Sequence, residues 1–158
     1  MAAGCSPTTD GDPSPLPPTE IGFHPCDGFP VEVIGSMGLD VRPPDRRDHD
    51  NPTSLGCGYL SNLPEYGITI AARSETTAEV GADDRFTVLS ETTIGGRPAL
   101  VSDFRGGSAC TVSVAIEPGI LEFMIGYSEL EDFTTVDAAC DQATKVATTL
   151  APYFPDHL

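Results

Sequence analysis

The 158-residue chain carries 24 Asp and Glu against 8 Lys and Arg, a formal charge of −16, with five Cys, 15 Pro and no Trp. Nucleic acid and anionic lipid surfaces are bound by clustered basic side chains that displace counterions, so this balance excludes nucleic acid as a partner and excludes direct polybasic membrane contact. Leu, Ile, Val and Phe make up about 23 % of the chain, and all but Leu16, Ile21 and Leu158 fall between residues 22 and 157. The composition predicts one folded domain over 22–158 with a polar arm over 1–21.

Residues 1–20 contain five prolines and hardly an apolar side chain, which predicts a disordered or polyproline-like tether. At its start, Ala2-Ala3-Gly4-Cys5-Ser6 resembles the end of a bacterial lipoprotein signal peptide, in which small residues precede a Cys that is diacylated. The position three before the Cys is Ala2 where Leu is usual, and neither a charged n-region nor an apolar h-region is present. Cys5 is the expected lipidation site. More than one acyl chain there supplies stable anchoring, and a polyproline-like arm at ~3.1 Å per residue lets the domain stand roughly 50 Å off the membrane.

Within 25–38, Pro30 as a starting residue and Gly38 as a stop predict one short helix carrying Val33, Ile34 and Met37 on one side. Residues 40–56 hold three prolines and many charges without apolar period and read as a long surface loop. From Cys57 the period becomes two, and strands are predicted over 57–61, 68–74, 86–94, 97–104, 110–117 and 120–128. Gly95-Gly96 suits a two-residue primed turn and Pro118-Gly119 a type II turn, while 105–108 makes a slightly longer reversal. These short links predict an antiparallel meander. Residues 75–85 read as loop with room for a helical turn. The last element is a helix started by Thr134 with Asp137, its stripe of Val136, Ala139, Cys140, Ala143, Val146, Ala147 and Leu150 ending at Pro152. The fold class expected is α+β: an antiparallel sheet of about six strands, with an N-terminal and a C-terminal helix packed on it.

With Cys5 set aside, Cys26, Cys57, Cys110 and Cys140 are an even number, which reads as two disulfides. Their wide spacings speak against zinc, whose ligands come in close pairs. Four cysteines allow three connectivities. The pairing expected is Cys26 with Cys57 and Cys110 with Cys140, because each bond then ties one helix to one strand.

Taken in order, Phe23-His24-Pro25-Cys26, Met37-Gly38-Leu39, Cys57 with Tyr59, Ile94-Gly95-Gly96-Arg97-Pro98-Ala99, Cys110-Thr111-Val112, and Cys140 on a final Ala-rich helix resemble the DUF3558 lipoproteins of actinobacteria. The resemblance spans roughly residues 22–155 and departs at Tyr59, where Trp is common. It implies an exported, lipid-anchored protein on the extracytoplasmic face of the cell membrane, with a PsbP-like or Mog1-like sandwich as a fold analogy. It carries over no catalytic residue.

No residue is assigned to catalysis, to a cofactor or to a metal. Of the three His, His24 adjoins Pro25, His49 lies in the charged stretch Asp48-His49-Asp50 beside Arg46 and Arg47, and His157 is next to the C-terminus. In a meander, Arg73, Arg85 and Arg105 come to one end of the sheet with Glu129, Glu131 and Asp132. That cluster reads as a loose surface ion-pair network or, functionally, as a partner-contact rim. The function expected is non-enzymatic binding of an envelope protein or of a cell-wall or lipid component, through loops 40–56, 62–67 and 105–109. The alternatives are a small-ligand carrier with an apolar pocket between helix and sheet, and then a hydrolase.

Overall fold

The computed structural model describes Gly11 and residues 20–158. Cys5, with all of the predicted tether but Gly11, Glu20 and Ile21, lies outside the described residues. Ile21 is buried in the core.

Seven strands form one antiparallel sheet: β1 (Asp45–Asp50), β2 (Thr53–Asn62), β3 (Glu65–Arg73), β4 (Phe86–Ile94), β5 (Arg97–Phe104), β6 (Ala109–Ile116) and β7 (Gly119–Gly126). Among the described residues four α-helices accompany them: α1 (Pro25–Gly28), α2 (Val31–Ser36), α3 (Thr77–Ala82) and α4 (Val136–Leu150). The architecture is α+β. The order in the sheet is β1-β2-β3-β7-β6-β5-β4, so the meander expected from the sequence is corrected. It holds within β1–β3 and within β4–β7, but β3 pairs with β7. The reason is burial. Strands β6 and β7 bury nearly every side chain on both faces and must be central, whereas β4 is exposed from Thr87 to Thr93 and belongs at an edge.

The predicted 40–56 loop also contains a strand. All six residues of β1 are exposed, yet they pair in register with β2 from Asp45↔Gly58 to Asp50↔Thr53. Gly56 and Gly58 make this pairing feasible: a β-carbon at Gly56 would come within 2.6 Å of the Arg47 carbonyl oxygen, and one at Gly58 within 2.9 Å of the Arg47 guanidinium carbon. Arg47 thus lies flat on bare backbone and reaches Thr69 Oγ1 with Nη1 at 3.1 Å.

One sheet face carries Ile68 and Ile70 of β3, Leu121, Phe123 and Ile125 of β7, and Val112 and Val114 of β6, all buried under α4 and the N-terminal helices. Helix α4 presents Ala139, Ala143 and Ala147 to the sheet, small side chains that let it approach closely. Thr135, one residue later than expected, caps it by accepting from Ala138 N at 3.2 Å. The other face is covered in part by α3, which carries the chain from β3 across to β4 and packs Val80 on Phe86 and Ile120. A capping box starts α3: Thr76 Oγ1 accepts from Glu79 N, and Glu79 Oε2 accepts from Thr76 N at 2.7 Å.

Gly95 and Gly96 both have positive φ, 58° and 76°, as a primed hairpin turn demands. The β6–β7 turn is not the type II turn expected at Pro118-Gly119. The Glu117–Pro118 peptide is cis and the link is Glu117-Pro118 itself. Both disulfides are those expected, Cys26–Cys57 and Cys110–Cys140, each with its α-carbons 5.2 Å apart.

Candidate functional site

The single helix expected over 25–38 is broken at Phe29-Pro30 into α1 and α2, and the break opens a groove. Several links hold α1 to the sheet. Cys26 is bonded to Cys57, Asp27 pairs with Arg46 at 2.9 Å, and His24 bridges to Asp48. His24 Nδ1 accepts from Cys26 N at 3.1 Å, which leaves Nε2 to donate to Asp48 Oδ1 at 2.8 Å. That bond holds the Asp48 carboxyl below its usual value. With both ring nitrogens committed, His24 is a cap and a brace and offers no lone pair to a substrate.

Between α1, α2, β2 and the segment 39–44 lies an open apolar groove of about 350 Å³. Its walls include Phe29, Ile34, Leu39, Pro43, Pro44 and Tyr59. Val31 and Val41 stand on it with exposures of 78 % and 45 %, and Asp40 and Arg42 are its charged residues. The Tyr59 hydroxyl donates to the Pro25 carbonyl at 3.2 Å, and burial, then the nearby Asp27 charge, pushes its pKa up to about 12. Tyr59 is therefore a neutral wall with its one polar atom turned into the protein.

The opposite face carries the arginines singled out from the sequence. Arg73 is not on a surface rim. Its Nη1 donates to both carboxylate oxygens of Glu122 at 3.1 Å, and its other terminal nitrogen pairs with Glu75. Burial pushes the Glu122 carboxyl up, and Arg73 opposes that shift. Arg85 joins through Glu75 at 3.9 Å and Asp83 at 2.6 Å, and its hydrogen bonds hold the Asp83 carboxyl down at about 2. The loose surface network is thus corrected to a cluster packed on the sheet under the α3 connection, beside the buried Ser102, Thr111 and Ser113 hydroxyls, which find no partner among the described residues.

Arg105 is separate. Its backbone N donates to Arg85 O at 2.7 Å, but its guanidinium lies over the Phe104 ring at 5.2 Å. The acidic trio is not at the Arg73 end either. Asp132 accepts from Glu65 N at 2.6 Å, at the far end of β3. Strand pairing through Phe86↔Phe104, Phe104↔Ala109 and Ala109↔Gly126 keeps the chain at Arg85, Arg105 and the acidic trio at one end of the sheet, and the pairing of β3 with β7 sends Arg73 alone to the other.

His49 lines a groove of about 300 Å³ with Ser54, Thr69, Arg73, Glu122 and Met124. His49 and Ser54 oppose each other across β1 and β2, yet no hydrogen bond joins His49 to Ser54 or to Glu122, whose oxygens are held by Arg73. Nucleophile, base and orienting acid are not assembled there.

The family model for "Protein of unknown function (DUF3558)" matches residues 1–153, nearly the whole chain. The chain belongs to the DUF3558 family. No curated protein and no solved structure matches this DUF3558 chain. The sequence suggests an apolar pocket between helix and sheet only as an alternative and does not locate this groove, which is assembled from pieces read as helix, loop and strand. The available signal was Val41 beside Pro43-Pro44, an apolar residue and two stiff ones inside an otherwise charged stretch.

Proposed function

We propose that this DUF3558 protein is a non-enzymatic binding module of the cell envelope, held on the extracytoplasmic face of the membrane by lipid on Cys5. The observation that carries the binding role is the groove at Phe29, Leu39 and Tyr59, braced by the Cys26–Cys57 disulfide and left with two valines in water. Exposed apolar surface next to a preformed concavity is the usual mark of a contact site. The groove is open along its length, so it suits the apolar side chains of an envelope partner whose remainder stays outside. A small-ligand carrier is the second reading, favoured by a volume at the lower end of the range of roughly 300–1,000 Å³ for ligand sites. The two disulfides suit an oxidising compartment, in keeping with export.

Native mass spectrometry of the full-length protein extracted with its membrane tests this. Acyl mass on Cys5 and a bound species that is lost in Val31→Asp/Val41→Asp are expected, and a bound lipid instead of a protein would favour the carrier. An unacylated Cys5 sinks the anchor. Unchanged binding by the double variant sinks the groove.

A further inference from the structure

The two edges of the sheet are built differently. At one, β1 reads Asp-Arg-Arg-Asp-His-Asp, six exposed polar residues of the kind that keep an edge from pairing with another chain. At the other, β4 runs Phe-Thr-Val-Leu-Ser-Glu-Thr-Thr-Ile with a single charge, pairs only with β5, and exposes 38 % of Val88 and 47 % of Leu89. A bulge between Val88 and Ser90 limits the regular part of this edge to Ser90–Ile94. The Gly95-Gly96 turn places Ile94 opposite Arg97 in a hydrogen-bonded pair, so Ile94 and Thr92 bond inward to β5. Glu91 and Thr93 therefore aim their backbone N–H and C=O groups away from the sheet.

Each face of this edge has a groove at the alternate positions. On the α4 side, Ser90 and Thr92 form the floor of a groove of about 570 Å³ whose wall carries Asp137 and Asp141, one helical turn apart. On the α3 side, Glu91 and Thr93 border a groove of about 310 Å³ with Thr77, Pro98 and Leu100. No basic residue lines either groove, and Lys145, the next turn of α4, makes no ion pair with the aspartates among the described residues.

We infer that β4 is a docking edge for an extended basic segment of another protein, which adds as an eighth strand. Its main chain pairs with Glu91 and Thr93, its Lys or Arg side chains alternate toward Asp137 and Asp141, and its apolar or β-branched side chains alternate toward Pro98 and Leu100. Charge selects the occupant: the acidic wall attracts basic side chains, and two copies of a chain at −16 repel each other at this edge. The inference stands apart from the apolar groove, which lies near the opposite edge against β2.

The test titrates the full-length chain with an N-acetylated, C-amidated octapeptide alternating Lys and Val, and with a block peptide of four Lys followed by four Val. The alternating peptide is expected to bind at least tenfold more tightly and to shift the Glu91 and Thr93 amide resonances. Thr93→Pro, which removes one outward donor at an edge that tolerates proline, is expected to weaken it at least tenfold. Asp137→Asn/Asp141→Asn, which leaves the backbone untouched, is expected to weaken it several-fold and decides the matter if Thr93→Pro does not fold. Equal binding of the two peptides, shifts elsewhere than β4, or full affinity in the aspartate variant would each overturn the inference, as would a dimer joined through β4.

Discussion

Arg73 holds both carboxylate oxygens of Glu122 from a single guanidinium nitrogen, on the sheet face that α3 roofs. With side-chain exposures of 15 % and 5 %, neither partner has enough water to stand alone. Arg73→Ala leaves a buried carboxylate uncompensated and is expected to cost about 3–5 kcal/mol, read as a drop in the urea midpoint. Arg73→Met/Glu122→Leu is expected to recover most of that loss, since a packed apolar pair replaces the ions. A double variant as unstable as the single one would show that the pair's worth lies elsewhere.

The Cys26–Cys57 and Cys110–Cys140 bonds close loops of 31 and 30 residues. Loop entropy puts each at about 3–4 kcal/mol. Removing them one at a time as Cys→Ser pairs is expected to lower the thermal midpoint by comparable amounts. Loss of Cys26–Cys57 should also loosen the apolar groove, which a rise in amide exchange over 25–44 would register.

Acid and base act on this fold with opposite signs at two carboxyls. Asp83, held at about 2 by Arg85, contributes stability that is present above its unfolded pKa near 3.8 and lost as pH falls toward 2. Glu122 is raised by burial, so its contribution is greatest at low pH and declines as pH rises through its folded value. Asp83→Asn is therefore expected to lower the neutral-pH urea midpoint modestly and to flatten its fall between about pH 4 and 2, so that variant and parent converge in acid. An acid limb as steep as the parent's would refute the Asp83 assignment.

Tyr59 should titrate near 12 by its ultraviolet phenolate band, well above an ordinary tyrosine. Tyr59→Phe removes the donor to the Pro25 carbonyl and is expected to cost about 1 kcal/mol. A Tyr59 that titrates at about 10 would place its hydroxyl in water.

Much of the sheet is legible in the sequence because one physical signal, alternation, writes it. Val112, Val114 and Ile116 alternate with Thr111, Ser113 and Ala115, and strand bounds from Phe86 onward follow. Strand β1 carries no such signal, since Arg46 and Arg47 are equally polar; it exists because β2 has glycines where Arg47 must lie. Sheet order is invisible to local turn chemistry, although the polar run Ser90-Glu91-Thr92-Thr93 already disqualified β4 from the centre. Glu122 alternates with Leu121 and Phe123 along β7, and α3 on that second face helps to make it an interior.

The pairing of β3 with β7 dictates an assembly sequence. Ile70 can find Phe123 only after the whole β4–β6 stretch has been made and folded back, whereas β4 through β7 join by adjacent hairpins. Each set, β1–β3 and β4–β7, is built from adjacent hairpins and can form locally, and until the two meet the edges of β3 and β7 are bare, an interval in which other chains compete for them. Pulse-labelled refolding should show amide protection within β1–β3 and within β4–β7 ahead of the seam between them, with the Ile68–Ile125 pairing closing last.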